Sequence, residues 1–148
     1  MTPWRLLLAF IALTYTVFGF VFLFYPSEMA AIVGIAFPTT SPRTDFRAMY
    51  GGLEIGIGVF LLICAMRREF VRVGLFASAC ALVAMATSRS VGLMLDGFNL
   101  VQVLVVATEW VGGAAATWGA VMAAPERDSV PAPFEDPTPN PPTFPPAA

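Results

Sequence analysis

The stretch LLLAFIALTYTVFGFVFLFY, residues 6 to 25, holds no charged side chain and no proline, and Pro26 follows it directly. Wound as an α-helix at ~1.5 Å per residue, such a run is ~30 Å long, the thickness of the hydrocarbon core of a bilayer. A helix that is apolar on every side belongs in a large core or in lipid. The run exceeds the roughly 7–15 residues of a signal-peptide apolar region, and no clean A-x-A site follows, so a retained helix is expected.

The rest of the chain repeats the pattern. Three further apolar segments, at about 46–66, 70–94 and 100–122, are separated by a proline-containing connection, the Arg67-Arg68 turn and Asp96-Gly97. Within the connection, EMAAIVGIAF (28–37) suits a short interfacial helix. Charged residues make up 12% of the 148 and hydrophobic ones 57%, against about 25% charged in soluble domains. The expected fold is all-α: a polytopic membrane protein with a four-transmembrane-helix bundle over residues 1–124, its helices at about 6–25, 46–66, 70–94 and 100–122.

Composition changes at Pro125. Nine of the 13 prolines fall in residues 125–148, with Glu126, Asp128, Glu135 and Asp136. A segment so poor in aliphatic residues cannot offset its ordering entropy, so a disordered, proline-rich, acidic tail is expected. PNPP and PTFP fit the loose P-x-x-P pattern, but a plain solvated tail is the simpler reading.

Every cation is arginine. Arg67, Arg68 and Arg72 crowd one turn, and retention of positive charge puts that turn on the cytoplasmic side. Four spans then leave both termini cytoplasmic, in agreement with Arg5 and Arg127; Arg43, Arg47 and Arg89 fall on the other side. All-arginine usage hints at a GC-rich bacterium, and hence at a bacterial cytoplasmic (inner) membrane.

What is missing narrows the chemistry. The chain has no histidine, the usual general base and commonest metal ligand. Cys64 and Cys80 form no C-x-x-C motif and read as small core residues. No G-x-S-x-G elbow is present, and no basic run offers a nucleic-acid surface. No catalytic residue, metal or cofactor is expected, and an enzyme is the less favoured reading. The expected surroundings are the lipid bilayer, with a membrane-protein partner or a homo-oligomer as further options.

Ionisable residues inside the spans are the exception to this apolar pattern. At mid-bilayer each costs at least ~2.5–3.5 kcal/mol unless it finds a partner. Arg47, Tyr50, Gly51, Glu54 and Gly58 recur at helical spacing and make one stripe on the second span. Glu54 lies ~12 Å from Phe46 and Glu109 ~13–14 Å from Leu100, so the two carboxylates are expected at one depth. Arg89 comes from the third span and Asp96 lies at its rim. The expected arrangement is a polar cluster in the outer half of the bundle: Arg47 and Arg89 above Glu54 and Glu109, with Tyr50 as a hydroxyl partner. Gln102, Glu109, Gly113, Ala116 and Ala120 form a similar inward stripe on the fourth span. Gly52 and Gly56 make a G-x-x-x-G pair, and with Gly51, Gly58, Gly112 and Gly113 they are expected to let helices approach closely.

R-A-M-Y-G-G at 47–52, R-S-V-G-L-M-L-D-G at 89–97 and the lone Glu109 of the last span together resemble a bacterial family known as domain of unknown function 4345. The resemblance covers about residues 5 to 122 and is similar in outline to four-helix membrane proteins of the DoxX type. It implies a fold and no activity, and the proline-rich tail departs from it. The function expected from the residues is binding of a small ligand or partner through the Arg/Glu cluster. Alternatives are an accessory subunit of a larger complex docked by its tail, and a proton-coupled small-molecule transporter. The uncharged first span weakens the transporter.

Overall fold

Prolines and glycines set the helix boundaries in the computed structural model, which describes residues 2–123. The expected tail at 125–148, and the argument from Arg127, lie outside the described residues. Helix α1 spans Pro3–Phe24, with its proline in the first turn, where no intrahelical N–H is lost. Pro26 disfavours helical backbone at Tyr25, ending α1 there. It then opens α2, Pro26–Ile32. That helix is shorter than the expected interfacial one because Gly34 adopts φ 77°. The Gly34 N–H donates to the Ala31 carbonyl at 3.0 Å and the Ile35 N–H to that of Ala30 at 2.8 Å, a Schellman stop.

The second span starts six residues earlier than expected. It runs without interruption over Thr40–Met66, as α3 (Thr40–Phe46), a π-helical turn (Arg47–Gly52) and α4 (Leu53–Met66). Pro42 does not exclude a helix, because it occupies the first turn and has no intrahelical bond to break. In the π turn the Leu53 N–H reaches back five residues to the Ala48 carbonyl. The third span, Arg68–Asp96, is a 3-10 turn (Arg68–Phe70) running into α5 (Val71–Asp96), and Gly97 ends it at φ 100°. Asn99 caps α6 (Leu100–Met122), its side chain accepting the Val101 N–H at 2.9 Å. All four spans are long and apolar enough to cross a membrane.

These helices pack as two pairs, α1 with the second span and α5 with α6. The first pair is close because Gly58 meets the Thr16 side chain and the Ala12 carbonyl, while Gly51 lies against the Leu23 backbone. A side chain at Gly58 has no room. Gly112 and Gly113 face Leu82 and Val83 across the second pair. The expected G-x-x-x-G contact is not made among the described residues: none of their atoms lies within 4 Å of a Cβ placed on Gly52 or Gly56. Small residues at the right spacing pack only where the helix turns them toward a neighbour.

The two pairs join chiefly at the end carrying the Arg67–Phe70 turn, the arginine end. The core there is Leu8, Ile11, Ala12 and Tyr15 of α1, Leu61, Cys64 and Ala65 of α4, Val71, Leu75 and Ala79 of α5, and Ala116 and Ala120 of α6. Arg5 stitches this end, donating to the Ala65 and Met66 carbonyls at 3.0 and 3.2 Å. These are carbonyls in the last turn of α4, with no partner inside the helix. Toward the opposite end, that of Gly97, buried residues thin out.

Candidate functional site

The polar cluster lies where this core stops. Counting at ~1.5 Å per residue, Glu54 lies ~15 Å from Cys64 and Glu109 ~15 Å from Gly119. Cys64 and Gly119 flank the neighbouring residues Gly74 and Leu75 of α5, so the two carboxylates are nearly level.

Arg89 and Glu109 form the centre. Arg89 Nη2 donates to Glu109 Oε1 at 2.9 Å and Nε to Oε2 at 3.1 Å, while Nη1 donates to Gln102 Oε1 at 2.6 Å. Glu109 is buried, 7% exposed, whereas about a third of the Arg89 side chain (32%) stays accessible. Backbone direction explains the match. Side chains on a helix lean toward its N-terminus, so in two antiparallel helices Arg89 leans down toward Glu109 while Glu109 leans up to meet it. Gln102 and Glu109 are two turns apart on one face, and the planar guanidinium bridges them with its fixed fork of donors. One residue along, Trp110 Nε1 donates to the Ser90 hydroxyl at 3.3 Å, a second strap between α5 and α6.

Glu54 opens α4 and is not bonded into this pair. Its Oε2 is buried with no hydrogen-bond partner among the described residues, and so is the hydroxyl of Tyr15. The Tyr15 hydroxyl lies within Coulombic range of both the Glu54 and the Glu109 carboxylates. Tyr15 is 6% exposed. Three spans therefore bring Tyr15, Glu54 and Glu109 into one electrostatic neighbourhood, and Arg89 arrives from the fourth. Tyr15 is not among the residues that the sequence marks out. The signal available was its place between Thr14 and Thr16 in an otherwise apolar run.

Three other expected members stand elsewhere. Arg47 is exposed, and its Nε donates to the Leu23 carbonyl at 3.1 Å, satisfying an end carbonyl of α1 and not covering Glu54. The π turn is the reason: one additional residue per turn rotates Arg47 relative to Glu54 by roughly 100°, which breaks the stripe assumed for a regular helix. Tyr50 sits in an aromatic group, 4.5 Å from the Phe46 ring and 5.6 Å from that of Phe22. Asp96 is exposed and lies a further ~10 Å along α5 from Arg89.

Chemically the cluster offers two carboxylates, one committed guanidinium, a phenol and an amide. Among the described residues no three of His, Cys, Asp or Glu gather to hold a metal ion. The free groups are thus an acceptor at Glu54 and a hydroxyl at Tyr15, beside a neutralised ion pair.

No curated protein and no solved structure matches this chain. A family model described as "Domain of unknown function (DUF4345)" matches residues 3–120, a length that takes in the first three spans, all but the last two residues of the fourth, the RAMYGG turn, Arg89 and Glu109. The chain belongs to this family.

Proposed function

We propose that this small multi-pass protein binds a small ligand where its two helix pairs part, through Glu54 and Tyr15, with the Arg89–Glu109 pair as the fixed wall of the site. The observation that carries the reading is the buried Glu54 oxygen and the buried Tyr15 hydroxyl, each without a partner among the described residues. Glu54 is only half-buried, but its Oε2 is held off water without a donor, and a buried oxygen left in that state favours either a proton or a donor from a bound molecule. Two carboxylates against one guanidinium leave an excess negative charge, which favours a ligand bearing N–H or O–H donors, a cation above all. Binding would be in the outer leaflet of a bacterial cytoplasmic membrane, with both termini cytoplasmic. Supporting that orientation, Arg5, Arg67, Arg68 and Arg72 share one end of the bundle, and positive charge is retained on the cytoplasmic side.

The test is purification of the full chain in a mild detergent, followed by native mass spectrometry. A small molecule should accompany the wild type and be missing from Glu54→Gln and Tyr15→Phe at equal protein yield. Two variants as well folded as the wild type, with no change in what co-purifies, would leave the cluster a device of helix register alone. Release that depends on pH and disappears in Glu54→Gln would mark proton coupling.

A further inference from the structure

A second feature lies away from the polar cluster, on the lipid-facing side of α5 and α6. There a groove of about 610 Å³ is lined by Arg72, Phe76, Cys80, Val83, Thr117 and Val121, with Ala79 and Ala120 in its floor. Small side chains in the floor make it a trough, and its walls are apolar apart from Thr117 and the arginine. Arg72 stands at one end, in the first turn of the 26-residue α5. Among the described residues it has no carboxylate within ion-pair distance. From Arg72 to Val83 the trough runs 11 residues along the helix, ~16 Å at the α-helical rise. That is about half of the ~30 Å hydrocarbon core, the depth of one leaflet.

We infer that this groove is a binding site for a single anionic phospholipid of the leaflet at the arginine end. One acyl chain lies along Phe76, Cys80 and Val83, and the phosphate pairs with Arg72. Charge and length both point to this occupant. An arginine at the interface matches a phosphate in geometry as well as sign. It lies at the N-terminus of a long helix, whose dipole also favours an anion. The apolar length of the trough ends where the leaflet ends. Basic positions beside transmembrane helices recruit anionic headgroups at about 1 kcal/mol per cation. A second copy of the chain would fill the trough with side chains but would leave Arg72 needing an acid at the same depth.

The experiment is lipid retention by the full chain, read by native mass spectrometry after exchange into detergent containing equal amounts of phosphatidylglycerol and phosphatidylcholine with identical acyl chains. The expected result is one phosphatidylglycerol per chain in preference to phosphatidylcholine. The preference should fall roughly 5-fold in Arg72→Gln and persist in Arg68→Gln, which removes a neighbouring charge outside the groove. Cys80→Trp, at an exposed position in the trough, should lower retention of both lipids without unfolding the protein. Equal retention of the two lipids, an equal loss in Arg68→Gln, or a dimer whose formation Cys80→Trp abolishes would each overturn the assignment.

Discussion

Replacing Arg89 with methionine isolates what the ion pair contributes. The substitution removes the donors that, among the described residues, serve the Glu109 and Gln102 side-chain oxygens at 2.6–3.3 Å, while keeping an unbranched apolar side chain. Glu109 remains 7% exposed on α6 with no guanidinium opposite. Removing one partner of a buried pair costs ~3–5 kcal/mol, mostly because the other charge is stranded. Two features of this site place the value at the low end. About a third of the Arg89 side chain is accessible (32%), so the pair is not fully enclosed and its loss costs less than that of a deeply buried one. A stranded carboxylate can also take up a proton, and protonating an ordinary glutamate at pH 7 costs about 3.7 kcal/mol, which caps the loss. The expected destabilisation is therefore about 3 kcal/mol. Reversible unfolding in mixed micelles measures it, and tryptophan fluorescence is a suitable signal because Trp110 is tied to Ser90 beside the site. The double variant Arg89→Met/Glu109→Leu carries no stranded charge and should recover to within about 1 kcal/mol of wild type, as apolar replacements of buried pairs do. A double variant no more stable than the single one would refute the reasoning, since it would mean that packing at Arg89, and not the charge, holds α5 to α6.

Other perturbations separate the glycines and the caps. Gly58→Ala should cost at least 2 kcal/mol, because the added carbon meets the Thr16 side chain and the Ala12 carbonyl. Gly56→Ala, which meets nothing within 4 Å among the described residues, should stabilise the helix by up to ~1 kcal/mol; the same unfolding assay ranks the two. Asn99→Ala removes the side-chain acceptor of the Val101 N–H and should cost about 1 kcal/mol. Hydrogen exchange in the first turn of α6 should quicken accordingly. Glu54→Leu relieves a buried acceptor with no partner among the described residues and should leave stability equal or higher while removing ligand retention; a fall in stability would show that Glu54 is paired in the protein.

The spans were readable because their signal is cumulative. Twenty uncharged residues before Pro26 leave one outcome, and the fourth span begins at Leu100 as expected because Asn99 is a strong cap. What sequence could not supply was phase. Stripe arguments assume 3.6 residues per turn, and that holds on α6, where Gln102 and Glu109 do share a partner. It fails across RAMYGG, where the π turn carries Arg47 to the end of α1 and Tyr50 into a stack of rings. Gly52 and Gly56 fail for a related reason: spacing shows that they share a face, but only packing decides whether that face has a neighbour. Tyr15 was hidden because a tyrosine in an apolar helix is usually a packing residue. What sets it apart is the carboxylates that the other spans bring near it.

The two helix pairs are held together internally by different means, and this explains why the free polar groups lie between them. Along α1 and the second span, contact is backbone to backbone at Gly51 and Gly58, finished by the Arg47 bond to Leu23. Along α5 and α6 it is side chain to side chain, through Arg89, Glu109 and Gln102, with Trp110 on Ser90. Lipid supplies no hydrophobic drive to press one pair on the other, so packing and polar contacts must do it. At the arginine end Leu8, Leu75 and the small residues around them provide that packing. Beyond Tyr15 the buried core thins among the described residues, and the facing groups are the Tyr15 hydroxyl and the Glu54 oxygen, neither bonded among those residues, beside an already satisfied pair. A molecule that donates to Glu54 and accepts from Tyr15 would supply the missing contact at that level, so its binding and the closeness of the two pairs would be coupled. Distances between labels placed on α3 and on the first turn of α6 should then shorten on binding in the wild type and stay unchanged in Glu54→Leu.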